Sequence, residues 1–124
     1  MVSCLLVDQN GVERSRIAQM LGCLGFECSE SAGLDAAVTF AQTSKPQLIL
    51  INASEQTPAQ DFLRLVKSGG QQHVQPIVIF YANAPKMEAM GASILAGASD
   101  FLIQPFDSRI LKFKLQQAGF ELAA

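Results

Sequence analysis

Five short apolar runs punctuate the chain: Cys4-Leu5-Leu6-Val7, Phe26-Glu27-Cys28, Leu48-Ile49-Leu50-Ile51, Ile77-Val78-Ile79-Phe80 and Phe101-Leu102-Ile103. Four of the five are continuously apolar rather than alternating, which suits strands covered on both faces, as in a parallel sheet. Longer amphipathic stretches lie between them. Asn10 followed by Glu13 predicts a capping box, with Ile17, Leu21 and Leu24 along one helix face. Ala36, Ala37 and Phe40 supply a weaker helical pattern near residues 33–43. Thr57-Pro58-Ala59-Gln60 supplies a capping hydroxyl and a proline at the first helical position, before Phe62, Leu65 and Val66. Pro85 opens a stretch carrying Met87, Met90 and Ile94. Asp107 is placed to cap a last helix with Ile110, Leu111 and Leu115 inward.

Strand and helix therefore alternate five times with short connections, which implies βαβ units and right-handed crossovers. The expected fold is α/β: a flavodoxin-like (βα)5 three-layer sandwich whose five-stranded parallel sheet has strand order 2-1-3-4-5. One domain spanning residues 1–124 accounts for the length, with no linker, repeat or low-complexity segment.

Charge changes this picture. Only 16% of residues are Asp, Glu, Lys or Arg, against roughly 25% in an average soluble domain, so about eleven charged residues are missing. An apolar fraction of 49% excludes disorder, because burial can offset the ordering entropy. A net charge of −2 argues against a nucleic-acid partner, which needs a basic face. No apolar run reaches the ~18 residues of a membrane span, and no secretory leader is recognisable. A cytoplasmic protein, away from membranes, is expected.

Cys4, Cys23 and Cys28 are an odd count, so reduced thiols serving as small apolar side chains are expected. A closed zinc site needs four ligands and the chain has one histidine, His73, in a polar stretch that reads as a surface loop.

In an open parallel sheet, chemistry sits outside the carboxyl ends of the strands. The first run ends in Asp8-Gln9, the third in Asn52, the fourth in Tyr81-Ala82 and the fifth in Gln104-Pro105. These segments resemble the receiver domain of bacterial response regulators (CheY-like) along the whole chain. Leu5-Leu6-Val7-Asp8 resembles its first strand with an acidic pair. Pro46-Gln47-Leu48-Ile49-Leu50-Ile51-Asn52 resembles the third, which ends there in the phospho-accepting Asp. Pro76-Ile77-Val78-Ile79-Phe80-Tyr81-Ala82 resembles the fourth, which ends in Thr or Ser and then Ala. Gly97-Ala98-Ser99-Asp100-Phe101-Leu102-Ile103-Gln104-Pro105-Phe106 resembles the fifth, which carries Lys-Pro.

The same comparison shows what is missing. The family's acidic pair and acceptor Asp bind Mg²⁺; only Asp8 remains, with Gln9 and Asn52 at the other two places. A hard cation needs anionic oxygens, so Mg²⁺ binding should be weak or absent and no cofactor is expected. Asn52 has no nucleophilic carboxylate with which to form an acyl phosphate. Gln104 stands where the family's Lys pairs with the phosphoryl group and supplies no charge. Tyr81 replaces a small hydroxyl residue, and its ring is expected in the space of the phosphate. Pro58 lies two places beyond the family's proline. With no second carboxylate near Asp8 and no catalytic set, no enzyme activity is expected; Ser54 and Ser99 read as loop serines.

The resemblance thus implies a degenerate pseudo-receiver: a signalling module of two-component or phosphorelay type that binds proteins without an Asp-phosphate switch. Tyr81 and Phe101 occupy the family's switch positions, and Tyr81 is expected to pack under the face made by the fourth helix, fifth strand and fifth helix. Arg109, Lys112 and Lys114 lie on or near that face, which would meet a histidine kinase, another regulator or a second copy of the chain. A competing reading is a sensor of a cyclic dinucleotide or other anion, using Arg14, Arg16 and Arg109. The end Glu121-Leu122-Ala123-Ala124 is similar to C-termini read by bacterial ATP-dependent proteases, with an ordinary frayed helix end as the alternative.

Overall fold

A computed structural model describes residues 2–68 and 75–122. The elements run β1 (Val2–Val7), α1 (Gly11–Cys23), β2 (Phe26–Ser31), α2 (Leu34–Ser44), β3 (Leu48–Asn52), α3 (Gln56–Ser68), β4 (Ile77–Asn83), α4 (Met87–Leu95), β5 (Asp100–Gln104) and α5 (Ser108–Gln117). All strand pairs are parallel and the order is β2-β1-β3-β4-β5. This is the flavodoxin-like sandwich expected from the alternation of apolar runs and amphipathic stretches. His73, Ala123 and Ala124 lie outside the described residues.

Two cores flank the sheet, because successive side chains on a strand point to opposite faces. Leu5, Val7, Ile49, Ile51, Val78, Phe80 and Phe101 face α2, α3 and α4, where Ala37, Phe62 and Leu63 meet them. Cys4, Leu6, Leu48, Leu50, Ile79, Tyr81 and Leu102 face α1 and α5, where Ile17, Leu21, Leu111 and Leu115 meet them. Leu48, Ile49, Leu50 and Ile51 are 0% exposed; each such side chain stabilises the fold by about 1.5–3 kcal/mol relative to exposure. The central strand therefore reads as an unbroken apolar run, whereas the edge strand β2 mixes apolar and polar residues (FECSES) and buries only Phe26.

The helix starts follow local chemistry, with corrections. The Asn10 side chain accepts from the backbone N–H groups of Val12 and Glu13, and Asp107 accepts from Ile110 N–H. The reciprocal half of the capping box does not form. The N–H of Asn10 donates instead to Asp8 Oδ1 at 2.9 Å, and Glu13 turns elsewhere. Helix α3 begins at Gln56, so Pro58 is its third residue rather than its first. Proline is tolerated there because the first-turn N–H groups have no intrahelical partner. Ile94 and Ile110 are about half exposed and Met87 is 87% exposed, against the inward expectation. Of the α4 positions expected inward, Met90 packs against the core, since a nine-residue helix offers the sheet only a narrow stripe.

Candidate functional site

The carboxyl ends of β1, β3, β4 and β5 open on one cleft, whose lining includes Asp8, Gln9, Asn52, Asn83 and Gln104. The parallel register brings these residues together: Asn52 is opposite Tyr81, and Asn83 opposite Gln104. Of the strand-end residues named from the sequence, Asp8, Gln9, Asn52, Gln104 and Pro105 line this cleft, whereas β4 reaches it through Asn83 rather than Tyr81-Ala82.

Asp8 is 4% exposed, and both of its carboxylate oxygens are engaged. Oδ1 accepts from Asn10 N–H at 2.9 Å, and Oδ2 accepts from the Tyr81 hydroxyl at 2.7 Å. Arg14 donates to the Asp8 carbonyl at 2.7 Å and pairs with Glu30 at 3.1 Å. A buried carboxylate left without such partners would be costly.

Tyr81 is fully buried and does not fill the cleft. Its ring packs in the core beneath it, edge-on to Phe106 with centroids 6.0 Å apart. Burial first, and then the hydrogen bond to Asp8, push its hydroxyl well above the ordinary tyrosine range, because a phenolate there would face a carboxylate in a dry site. Tyr81 is the only tyrosine and the chain has no tryptophan, so ultraviolet titration isolates it. The phenol is expected to ionise only as the fold is lost. The folded-state pKa lies above the unfolded value of about 10, so this stability is fully present below pH ~10 and falls by about 1.4 kcal/mol per pH unit above it. A reversible phenolate transition near pH ~10 in the folded protein would contradict the buried hydrogen bond.

Glu13 is the residue that the sequence reading missed. It is a second carboxylate on the cleft, where none was expected near Asp8. Arg16 grips it through two contacts, Nε to Oε1 at 2.7 Å and Nη2 to Oε2 at 3.2 Å, and Gln104 Nε2 donates to Oε2 at 2.6 Å. The Arg16 hydrogen bonds hold Glu13 below its ordinary pKa, and Gln104 adds to the effect. Arg16 also reaches the Phe106 carbonyl at 3.3 Å and stacks over its ring at 5.8 Å. Only the position of Glu13 in the first turn of α1, pointing at the β5–α5 connection, could have hinted at this role. Asn83 was missed because β4 runs past Ala82.

The Asn52 Oδ1 accepts from Ser54 N–H at 3.0 Å. Gln9 and Ser54 are exposed, and Ser99 sits before β5, at the opposite end of the sheet from the cleft. Tyr81 and Phe101 pack on opposite faces of the sheet. Phe101 meets Phe80 at 6.3 Å rather than Tyr81, so the two expected switch residues do not touch and neither reaches the surface. Arg109 is exposed and pairs with Asp107 at 3.3 Å; Lys112 is half-buried, and Lys114 pairs with Asp100 at 3.0 Å. Arg14, Arg16 and Arg109 each hold a carboxylate of their own. Among the described residues no group of three or more His, Cys, Asp or Glu side chains is placed to hold a metal ion, and no helix is long and apolar enough to cross a membrane.

No protein-family model matches the chain, and no curated protein matches it. Solved structures do. A response regulator from Thermotoga maritima superimposes with a TM-score of 0.84 at 18% identity, covering 94% of this chain and 96% of that one. The chemotaxis protein CheY4 of Vibrio cholerae gives 0.83 at 22% identity, covering 94% and 98%. The receiver domain of the Francisella response regulator 1452 gives 0.81 at 16% identity, covering 94% and 95%. At these identities the likeness is one of architecture, and the chain has the fold of a response-regulator receiver domain.

Proposed function

We propose that this chain is a signalling module of the two-component type that acts as a phosphorylation-independent protein-interaction domain, a pseudo-receiver. The observation that carries the reading is the Tyr81–Asp8 hydrogen bond of 2.7 Å beneath a cleft that has Asn52 and Gln104 in place of charged groups. The residues do not fit Mg²⁺. Both Asp8 oxygens are taken by protein donors, the Asn52 oxygen by Ser54, and Glu13 by Arg16 and Gln104. An octahedral cation that dehydrates reluctantly gains too little there. Incubating the protein with acetyl phosphate and Mg²⁺ and weighing it intact tests the reading: unchanged mass is expected, and an acid-stable or acid-labile phosphoryl adduct overturns it.

Binding of a protein is supported by the surface. Helix α4 covers one face of the sheet, α5 the other, and the outermost strand β5 lies between them. Leu95 (91% exposed), Ile103 (52%) and Phe113 (57%) are exposed along these three elements, with Arg109 and Lys112 beside them. The expected partner is another signalling protein, a histidine kinase or a regulator, or a second copy of the chain. Phe113→Glu is expected to abolish retention of such a partner, or self-association in sedimentation. Stability should stay within about 0.5 kcal/mol, because the site is on the surface. Undiminished binding would place the interface elsewhere. The anion-sensor reading has less support, since Arg14, Arg16 and Arg109 are each already paired with a carboxylate.

A further inference from the structure

Cys4 of β1 and Cys28 of β2 stand directly opposite each other in neighbouring parallel strands. Both side chains are on the α1 side of the sheet, Cys4 within that core and Cys28 packed against it. Both are free thiols, and the Cys28 thiol donates to the Ser29 carbonyl at 3.7 Å. Adjacent strands lie about 4.8 Å apart, inside the ~4.4–6.8 Å range of Cα separations that a disulfide spans. β2 is an edge strand of the sheet and Cys28 is half-buried, whereas Cys4 is 1% exposed. A small oxidant therefore meets Cys28 first, with Cys4 immediately behind it.

We propose that Cys4 and Cys28 are a reversible dithiol–disulfide pair, a peroxide-sensitive modification site on the β1–β2 edge of the sheet. The Cys28 thiolate attacks one oxygen of hydrogen peroxide; the O–O bond breaks, leaving Cys28 as a sulfenic acid and hydroxide that takes up a proton as water. The Cys4 sulfur then attacks the Cys28 sulfur; the S–S bond forms, the S–O bond breaks, and the departing hydroxide leaves as water with the Cys4 proton. Two thiols lose two electrons to one peroxide, and two waters result.

The neighbouring Cys4 thiol supports the first step, lowering the Cys28 thiol below its ordinary range although burial and Glu30 oppose it. The neighbouring Cys28 and burial push Cys4 up, so it stays a protonated thiol until the Cys28 sulfenic acid forms beside it. The bridge would end at the half-buried Cys28 of an edge strand, where a reductant can reach it. That favours a reversible mark over a permanent staple.

The test uses the full chain in a Cys23→Ser background, so that no other thiol is present. After hydrogen peroxide, the unfolded protein is expected to be lighter by about 2 Da, to take no alkylating agent, and to regain two alkylatable thiols after dithiothreitol. Cys28→Ser in the same background should leave Cys4 alkylatable after the same exposure. A peptide map of the oxidised wild-type chain, which requires no substitution, must show a Cys4–Cys28 link within one chain. Two alkylatable thiols after a peroxide exposure that oxidises the exposed Cys23 of the wild type would overturn the proposal. So would added oxygen without loss of two hydrogens, or a Cys23–Cys28 link in its place.

Discussion

Asn52→Asp alone is expected to leave the protein unphosphorylated by acetyl phosphate and Mg²⁺, although it restores a carboxylate at the end of β3. A lone nucleophile is not enough, because acyl-phosphate chemistry here needs a cation to neutralise the approaching phosphate and a cationic side chain to hold it. Gln9 is neutral, the Asp8 oxygens are engaged by Asn10 and Tyr81, and Gln104 already donates to Glu13. Adding Gln9→Asp and Gln104→Lys returns charge to the cleft yet leaves Asp8 tied to the Tyr81 hydroxyl. The adduct is therefore expected only when Tyr81→Thr is included as well, with circular dichroism confirming that the variant is folded. An adduct on the single Asn52→Asp variant, seen by intact mass, would show that the site is an ordinary receiver lacking one atom group. The charge argument would then fail.

Tyr81→Ala is expected to cost about 3–5 kcal/mol in urea denaturation, the range for emptying an aromatic side chain from a packed core. The ring is fully buried between β4 and Phe106. Tyr81→Phe keeps the ring and removes only the hydroxyl. It is expected to cost about 1–3 kcal/mol, because it leaves one oxygen of a nearly buried carboxylate without a donor. The pair separates packing from hydrogen bonding. A Phe variant within about 0.5 kcal/mol of wild type would mean that water replaces the hydroxyl at Asp8 and that the contact holds nothing closed.

The charge deficit that marks this sequence has two sources. Most of it belongs to a sheet with a core on each face, so that β3 is fully apolar along Leu48, Ile49, Leu50 and Ile51. The rest falls at Gln9, Asn52 and Gln104, which the strands deliver to one cleft. That convergence was legible, because strand ends follow from apolar runs and a parallel sheet aligns its carboxyl ends. Glu13 was not legible as a site residue. Its spacing from Asn10 satisfies a local capping rule equally well, and only the approach of the β5–α5 connection gives it Gln104 as a partner.

Periodicity by itself determined the number, order and type of elements and the single parallel sheet, since burial on both faces leaves an unmistakable continuous run. Residue identity alone puts the neutral amides Gln9, Asn52 and Gln104 at or just beyond the carboxyl ends of β1, β3 and β5. The tertiary structure alone decided which face each side chain takes. One strand step separates Phe80 from Tyr81, yet it sends Phe80 to the α3 side with Phe101 and Tyr81 to the α1 side with Asp8. The same long-range register set Cys4 against Cys28. Local sequence specifies propensity within a few residues; contacts across 24 or 73 positions exist only once β-strand pairing has brought distant segments together.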